Sequence, residues 1–286
     1  MNPSTIVDGL LLGGFYALVA LGLSLVFGVL RLVNLAHGEF IIGGAYLAYL
    51  LWTRLGLDPL WALPIVAAGA ALVGYLLQRH LLTGLLLRGV EGPLVATFGL
   101  AIVAQAAFAA AFSYNPVSFR APYAAAGIQI AGLQVRAISL VAAAAAIVLC
   151  GVGYLVLTRT RPGAAVQAAA ADPATASLMG LDVRRLYAIV FAVGAAVAAV
   201  GGVFVGLAFS VTPTTGSEYL VIAIAVVVLG GIGNVWGTLL GGVLLGLVQS
   251  LGTQFFGGGY GVLAVYVAFL VVLAVRPAGL LGRRLG

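Results

Sequence analysis

Nine runs of apolar residues follow one another along this chain, and only short polar segments separate them. The runs cover residues 6–30, 40–52, 60–78, 93–112, 132–157, 186–209, 219–229, 236–256 and 260–275. A helix needs about 20 apolar residues to cross a bilayer. Runs rich in Ala, Leu, Val and Gly lack the short alternating segments of a membrane β-barrel. The pattern therefore predicts an all-α polytopic membrane protein with about nine transmembrane helices, within a range of eight to ten.

Charged side chains are scarce, which supports the same fold class. They make up 7% of the 286 residues, whereas a soluble globular domain carries about 25%. So few charges cannot cover the surface of a soluble protein of this size, so we expect an integral membrane protein in contact with lipid. The basic residues are spread along the polar segments and form no basic face, so no nucleic-acid partner is indicated.

Two of the runs, 40–52 and 219–229, are too short to cross a bilayer comfortably on their own. One lies in each half of the chain, and each is next to a glycine-containing polar segment. Paired short or broken helices in corresponding halves indicate an inverted repeat with a pathway at its interface. The alternative is coincidence in a chain that contains 41 glycines. Both alternatives remain open at the level of sequence.

The arginines predict an orientation in the membrane. With nine crossings, one side receives three of the 13 arginines, namely Arg54, Arg120 and Arg136. The other side receives Arg31, Arg79, Arg88, Arg159, Arg161, Arg184, Arg185, Arg276, Arg283 and Arg284. Because cytoplasmic loops hold the excess of basic residues, we predict that the N-terminus faces outward and the C-terminus faces the cytoplasm.

Residues for catalysis or metal binding are few. The chain has no lysine, so it cannot form the ATP-binding P-loop, which needs one. Its two histidines, His37 and His80, do not have metal-ligand spacing, and the single Cys150 cannot build a metal site alone. Ser24 lies inside the first run and His37 beyond its end, which argues against a Ser–His hydrolase. We therefore predict no catalytic residue, no metal site and no charge deep in a span.

Two polar clusters beside the short runs are candidates for a pathway or gate. Asn34, His37 and Glu39 surround a glycine where the first short run begins, and Glu218 precedes the second. Polar groups at or inside a membrane boundary are costly and tend to be functional. Four further candidates follow the second run: Gly230, Gly231, Gly233 and Asn234. The structural alternative is that these residues only cap helices and form turns.

The longest polar interruption covers residues 158–185, on the predicted cytoplasmic side. Its alanine-rich part favours a helix. Asp172 and Pro173 then suit the cap and first position of a second helix, and Gly180 suits its end. We predict two short helices joined by a turn. A helix lying on the bilayer would carry bulky apolar residues on one face, so the alanine-rich surface favours docking into a groove of a protein.

Four ordered segments, at residues 22–46, 161–202, 226–242 and 276–282, carry a resemblance over the length of the chain. They read GLSLVFGVLRLVNLAHGEFIIGGAY, RPGAAVQAAAADPATASLMGLDVRRLYAIVFAVGAAVAAVGG, VVVLGGIGNVWGTLLGG and RPAGLLG. This sequence resembles the LivH-type permease subunits of branched-chain amino acid ABC importers.

The resemblance implies one transmembrane permease domain over residues 1–286, in the inner membrane of a bacterium. It implies transport of branched-chain, hydrophobic amino acids, and a second permease of the LivM type. It further implies two cytoplasmic ATPase subunits and a periplasmic substrate-binding protein. The chain itself would hold no cofactor, since ATP and Mg would bind to the partner ATPases.

The resemblance also implies that residues 161–180 form the coupling loop that docks on the ATPase. The residues it singles out there are Arg161, Gly163, Gln167, Asp172, Pro173 and Gly180. The family often has Arg at the position of Gln167, so one basic contact is absent or moved. Importers of urea and short amides have similar permeases and remain an alternative. An ion-coupled secondary carrier or channel is a further alternative, which the expected lack of deep charges disfavours.

Overall fold

The computed structural model describes residues 3–86, 91–119, 121–124, 126–130, 133–276 and 279, and this part of the chain is almost entirely helical. Its α-helices are α1 Pro3–Leu30, α2 His37–Leu55, α3 Leu63–Leu77, α4 Thr83–Leu86, α5 Glu91–Phe112, α6 Ala137–Arg159, α7 Arg161–Ala171, α8 Pro173–Leu178, α9 Val183–Ala208, α10 Thr215–Gly230, α11 Val235–Phe256 and α12 Tyr260–Val275. A π-helical turn, Gln78–Leu82, joins α3 to α4.

Each of the nine predicted apolar runs forms a helix. Within the described residues, six helices are long and apolar enough to cross a membrane: α1, the continuous α3–α4 unit, α5, α6, α9 and α11. Helices α10 and α12 are shorter but apolar, and α2 has 19 residues. The prediction of an all-α polytopic membrane protein is therefore confirmed. The last resembling segment, 276–282, is described only at Arg276 and Gly279.

The segment before α6 differs from the prediction that a helix begins near residue 132. Two strands, β1 Gly127–Ile130 and β2 Leu133–Arg136, form an antiparallel hairpin, with Gly127 opposite Arg136. Val135 is buried between the exposed Gln134 and Arg136. This alternation has the period of a strand, so the helix begins only at Ala137.

Small residues hold the centre of the bundle together. Helices α1 and α9 are mostly buried, whereas α5 and α6 lie at the periphery. Helix α11 packs antiparallel along α1, and a Cβ atom on Gly242 would lie 2.7 Å from the carbonyl oxygen of Gly13. Such close contact between backbones is how helices associate in lipid, where the hydrophobic effect does not drive their association.

A buried hydrogen bond joins the same two helices. The Thr238 hydroxyl donates to the Ser24 hydroxyl oxygen at 2.8 Å, and both residues are almost completely buried. We expect Thr238→Val to lower the free energy of unfolding by about 1 to 2 kcal/mol, because it leaves the Ser24 hydroxyl without this partner. Thr238→Ser keeps the hydroxyl and is the control. Thermal unfolding in detergent measures both, and equal melting temperatures for the valine and serine variants would contradict the expectation.

The chain turns back into the bundle after α1. The His37 Nε2 atom lies 2.8 Å from the carbonyl oxygen of Val19, in the middle of α1. Val19 precedes Leu30, the last residue of α1, by a helical distance of roughly 16 Å. The linker of residues 31–36 therefore re-enters the bundle, and α2 begins deep inside it.

A second re-entry follows α9. Residues 209–214 turn back from the end of α9, where Val211 pairs with Val117 in an isolated β-bridge. Helix α10 then begins beside the start of α2, where a Cβ atom on Gly38 would lie 2.6 Å from the carbonyl carbon of Gly216 and closer still to its oxygen. The N-termini of the two half-helices, α2 and α10, therefore meet inside the bundle.

The two half-helices, α2 and α10, point in opposite directions. Gly22 contacts Gly194 while Val19 contacts Gly201, so α1 and α9 run antiparallel. Helix α2 returns toward the end where α1 begins, and α10 returns toward the end where α9 begins. This is the arrangement expected of an inverted repeat, and it favours that interpretation over coincidence.

Candidate functional site

The start of α2 is shaped by Asn34. This residue is 2% exposed, and its Oδ1 atom accepts a hydrogen bond from the backbone N–H of Ala36 at 3.0 Å. Its backbone carbonyl accepts from the N–H of His37 at 3.2 Å. The Leu35 N–H donates to the Thr97 hydroxyl of α5 at 3.2 Å. Asn34 therefore forms the turn from which the half-helix begins.

His37 fixes this turn to α1. Its side chain is buried, and Nε2 donates to the Val19 carbonyl oxygen, since a carbonyl oxygen only accepts. The sequence places His37 beyond the first span, but the re-entrant linker brings it back to the middle of α1. Ser24 is hydrogen-bonded to Thr238 and not to His37. No Ser–His pair forms between these two residues, although His37 does not lie beyond the span as predicted.

Glu39 is a buried acidic residue in the first turn of α2. It is 6% exposed, and within the described residues its Oε2 atom has no hydrogen-bond partner. A Cβ atom on Gly216 would lie 2.9 Å from the Glu39 Oε1 atom, so the carboxyl group also borders the first turn of α10. The two helix N-termini favour a negative charge here. An ionisable side chain therefore lies deep inside the bundle, where none was expected, because hydropathy along the chain does not show the re-entry.

The remaining pathway candidates lie elsewhere. Glu218 is in the first turn of α10 but is exposed. Gly230, Gly231, Gly233 and Asn234 lie at the far end of that helix, roughly 24 Å along its axis. There Gly231 and Gly233 have positive φ angles, and the Asn234 Oδ1 atom accepts from the Gly237 N–H at 3.0 Å. The structure therefore brings Asn34, His37 and Glu39 together with the start of α10, but not with this turn.

The 158–185 loop contains the two short helices predicted from its sequence. The Asp172 Oδ1 atom accepts hydrogen bonds from the N–H groups of Ala174 at 3.0 Å and Thr175 at 3.2 Å, and Pro173 begins α8. Gly180 ends the segment with a φ of 84°, a conformation that costs other residues about 1 kcal/mol or more. These local assignments are confirmed.

The Asp172 cap stays charged at neutral pH. Hydrogen bonds from the Thr175 hydroxyl and from the Thr175 and Ala174 backbone N–H groups hold the pKa of its carboxyl group below its usual range. A lowered pKa means that the cap is fully formed above the ordinary Asp pKa of about 3.9 and is lost only as the pH falls further. We therefore expect no pH dependence from this cap near neutrality.

Helix α7 extends beyond the alanine-rich stretch 164–171 that predicted it. It begins at Arg161, with Thr160 as its cap and Pro162 in its first turn. The Thr160 Oγ1 atom accepts from the Gly163 N–H at 3.2 Å. Threonine at the cap followed by proline is a start signal that the sequence does contain.

Helix α7 is held tightly against the bundle. Gly163 is buried, and a Cβ atom there would lie 2.6 Å from Leu157 of α6. Val166 belongs to an apolar cluster with residues of α1, α9 and the linker before α2. The Gln167 side-chain amide donates to the Leu157 carbonyl oxygen, so this side chain folds back onto α6. Arg161 remains exposed.

Helix α8, in contrast, presents large apolar side chains outward. Leu178 is 87% exposed and Met179 is 79% exposed, at the end of α8 that Gly180 terminates. Ala176 is the buried residue of this helix. Leu178 and Met179 were not candidates at the level of sequence, because an apolar pair in a short loop gives no sign of which way it points. The loop therefore combines a fixed helix with an exposed apolar tip.

Comparisons with known proteins agree with this architecture. A family model described as "Branched-chain amino acid transport system / permease component" matches residues 5–275. The high-affinity branched-chain amino acid transport system permease protein BraD of Pseudomonas aeruginosa is 32% identical over 304 residues, covering 97% of this chain and 95% of that protein. The corresponding LivH protein of Escherichia coli K12 is 30% identical, covering 96% and 94%. No solved structure matches the chain.

Proposed function

The chain belongs to the family of permease components of branched-chain amino acid transport systems, and from this premise we propose how it works. It is the membrane-spanning permease subunit of an ATP-binding cassette importer and moves branched-chain amino acids, or a similar small neutral solute, into the cytoplasm. The relatives named for branched-chain amino acid transport support this solute class. The chain is a transport subunit, and ATP hydrolysis is the work of partner subunits.

The observation that carries the proposal is the apolar tip of the 158–185 loop. Leu178 and Met179 are largely exposed beside a helix that is fixed to the bundle. A large exposed apolar pair in a polar loop suits contact with a protein. We assign this tip, with the loop from Arg161 to Gly180, to a cytoplasmic ATPase that binds ATP and Mg. The full complex has two such ATPases, a second permease of the LivM type and a periplasmic substrate-binding protein.

A single apolar cluster connects the loop to the half-helix α2, so movement of the loop can be transmitted to it. Val166 of α7, Leu32 of the linker and Phe40 of α2 belong to one apolar cluster. Packed elements of this kind move as units and switch between discrete arrangements. Displacement of α7 by the ATPase therefore shifts the linker and the start of α2, where Asn34, His37 and Glu39 form the gate.

The distribution of arginines between the two ends of the bundle supports the proposed orientation. Arg136 lies at the end where α9 finishes, since its guanidinium donates to the Ala208 carbonyl oxygen at 3.5 Å. Arg184 and Arg185 lie at the opposite end, where α9 begins. The arginine-rich end faces the cytoplasm of a bacterium, so the N-terminus faces outward across the inner membrane. Arg88, Arg120, Arg283 and Arg284 contribute only to the sequence count, because they lie outside the described residues.

Polar substitution of the apolar tip tests the docking assignment. We expect the double variant Leu178→Ser and Met179→Ser to lose most of its bound ATPase, because the exposed apolar surface of the contact is removed. The control is Leu55→Ser, since Leu55 is 72% exposed at the opposite end of the bundle. The measurement is the amount of ATPase that co-purifies with each tagged variant from membranes. Undiminished ATPase with the double variant would contradict the assignment.

A further inference from the structure

A cavity of about 250 Å³ lies between α2, α3 and α5, beside the start of α2. Glu39 is the one ionisable residue in its lining, and the other lining residues are apolar. Small residues leave the space open, among them Gly43 on α2, and Gly69 and Ala70 on α3. Phe108 of α5 also lines it. A dry cavity of about 150 Å³ already holds a molecule as large as benzene, so this one has room for a small aliphatic group.

The carboxyl group of Glu39 lacks a hydrogen-bond partner beside this cavity. Its Oε2 atom is buried and has no hydrogen-bond partner within the described residues. The N-termini of α2 and α10 favour the ionised carboxylate, but a helix dipole does not supply the directional hydrogen bond that this oxygen lacks. An unpartnered buried charge is costly. The group that completes the site is therefore a hydrogen-bond donor, and a positively charged donor forms the strongest such bond.

Tyr46 is a second residue of α2 whose polar group lacks a partner. It lies two turns beyond Glu39, on a similar face of α2. Its hydroxyl group is buried and has no hydrogen-bond partner within the described residues. Its ring stacks on Phe112 at 4.1 Å and lies 5.3 Å from Phe108, the residue that lines the cavity. Of these three aromatic residues Phe108 lines the cavity, and Tyr46 and Phe112 pack behind it.

We propose that this cavity, which is open on one side, is an intramembrane binding site for an aliphatic amino acid, with the ammonium group on Glu39, the side chain against Gly43, Gly69 and Ala70, and the carboxylate at the open side, outside the apolar lining. The inference rests on the proposed function and adds a step to it. The solute pauses inside this permease at the junction of the two half-helices. A lipid chain would fill the apolar space but carries no donor for Glu39, so it does not account for the buried carboxylate.

Direct binding to the purified full-length chain, together with whatever subunits co-purify, tests the site. No periplasmic binding protein is present, and the probe is radiolabelled leucine. We expect 3-methylbutylamine, which keeps the ammonium and the side chain, to compete with it. We expect 4-methyl-2-oxopentanoate, which lacks the ammonium, not to compete. Equal competition by the two analogues, or no leucine binding at all, would overturn the inference.

Two variants with matched controls locate the site. Glu39→Gln is expected to weaken leucine binding about tenfold or more, because a charge-assisted hydrogen bond is lost. The control is Glu91→Gln, since Glu91 is also in the first turn of a helix but is exposed. Gly69→Leu is expected to fill the cavity without displacing backbone, since the nearest heavy atom to an added Cβ is a Leu47 methyl group at 3.5 Å. Gly99→Leu, with open space around it, is its control.

The results separate this inference from the proposed function. Leucine binding that is unchanged in both Glu39→Gln and Gly69→Leu would overturn the site, even if ATPase still co-purifies with the chain. Binding that both variants lose, with both controls normal and thermal stability retained, would support it. If leucine binds at Glu39 but no ATPase accompanies the chain, the site stands and the importer assignment fails.

Discussion

Replacing Gly38 with Leu is expected to abolish transport and to lower the free energy of unfolding by about 3 kcal/mol or more. Gly38 is the second residue of α2 and lies beside the first turn of α10, where an added Cβ atom would lie 2.6 Å from the Gly216 carbonyl carbon and closer to its oxygen. The obstructing atoms belong to backbone, so no side-chain rotation relieves the overlap. The two half-helices must separate, and the arrangement around Glu39 is lost with them.

Thermal unfolding in detergent and solute uptake by cells measure this prediction. Gly99→Leu makes the same substitution in α5, where nothing lies within 4 Å of the added Cβ atom, and it should behave like the unchanged protein. A Gly38→Leu variant that unfolds at the normal temperature and transports normally would show that the half-helices do not meet as described.

Replacing Asp172 with Lys is expected to eliminate most uptake while the protein still inserts into the membrane. Asp172 caps α8 through its hydrogen bonds to Ala174 and Thr175. Lysine cannot accept these bonds, and its positive charge is unfavourable at a helix N-terminus. The change therefore alters the position of the apolar tip at Leu178, which contacts the ATPase in the proposed complex. Uptake and the stimulation of ATP hydrolysis by solute should fall together.

Two comparisons show whether the loss is specific to the loop tip. Asp172→Asn retains a side chain that can cap a helix, so it should keep most of the uptake. Asp182→Asn makes the same mild change at the cap of α9, where Asp182 accepts from the Arg185 N–H at 3.0 Å, and it should also remain active. Normal uptake by the Asp172→Lys variant would refute the coupling role of this residue.

The series of helices was predictable from sequence, but the two re-entries were not. Apolar run length marks each helix, and even the two short runs were recognised as too short to span alone. Hydropathy, however, is read in one dimension. It assigned His37 and Glu39 to a membrane boundary because they lie between the apolar runs 6–30 and 40–52, whereas the linker carries them to the level of Val19. The depth of a residue after a turn depends on tertiary contacts, which the chain order does not reveal.

The 158–185 loop shows the same division between local and tertiary information. The Asp172 cap, Pro173 and the left-handed Gly180 depend on neighbours within a few residues, so they were predicted correctly. The direction of a side chain is a tertiary property. Gln167 folds back onto Leu157, and Leu178 points outward, and neither outcome has a signature in a single sequence.

The buried Glu39 also changes the argument against a secondary carrier. The absence of deep charge was one reason to disfavour an ion-coupled mechanism, and that reason no longer holds, since intramembrane carboxylates are common in such carriers. The importer assignment now depends on family membership and on the 158–185 loop, in which α7 packs against the bundle and the end of α8 carries the exposed apolar tip. Glu39 is accommodated in that assignment as the proposed site for the ammonium group of the solute.

The most direct test of the importer proposal is purification of the tagged chain from its native membranes, followed by mass spectrometry and reconstitution into liposomes. The proposal predicts that a P-loop ATPase and a second permease co-purify, and that solute enters only when ATP and the binding protein are supplied. A chain that purifies alone and moves solute without ATP would contradict it and identify a secondary carrier or channel.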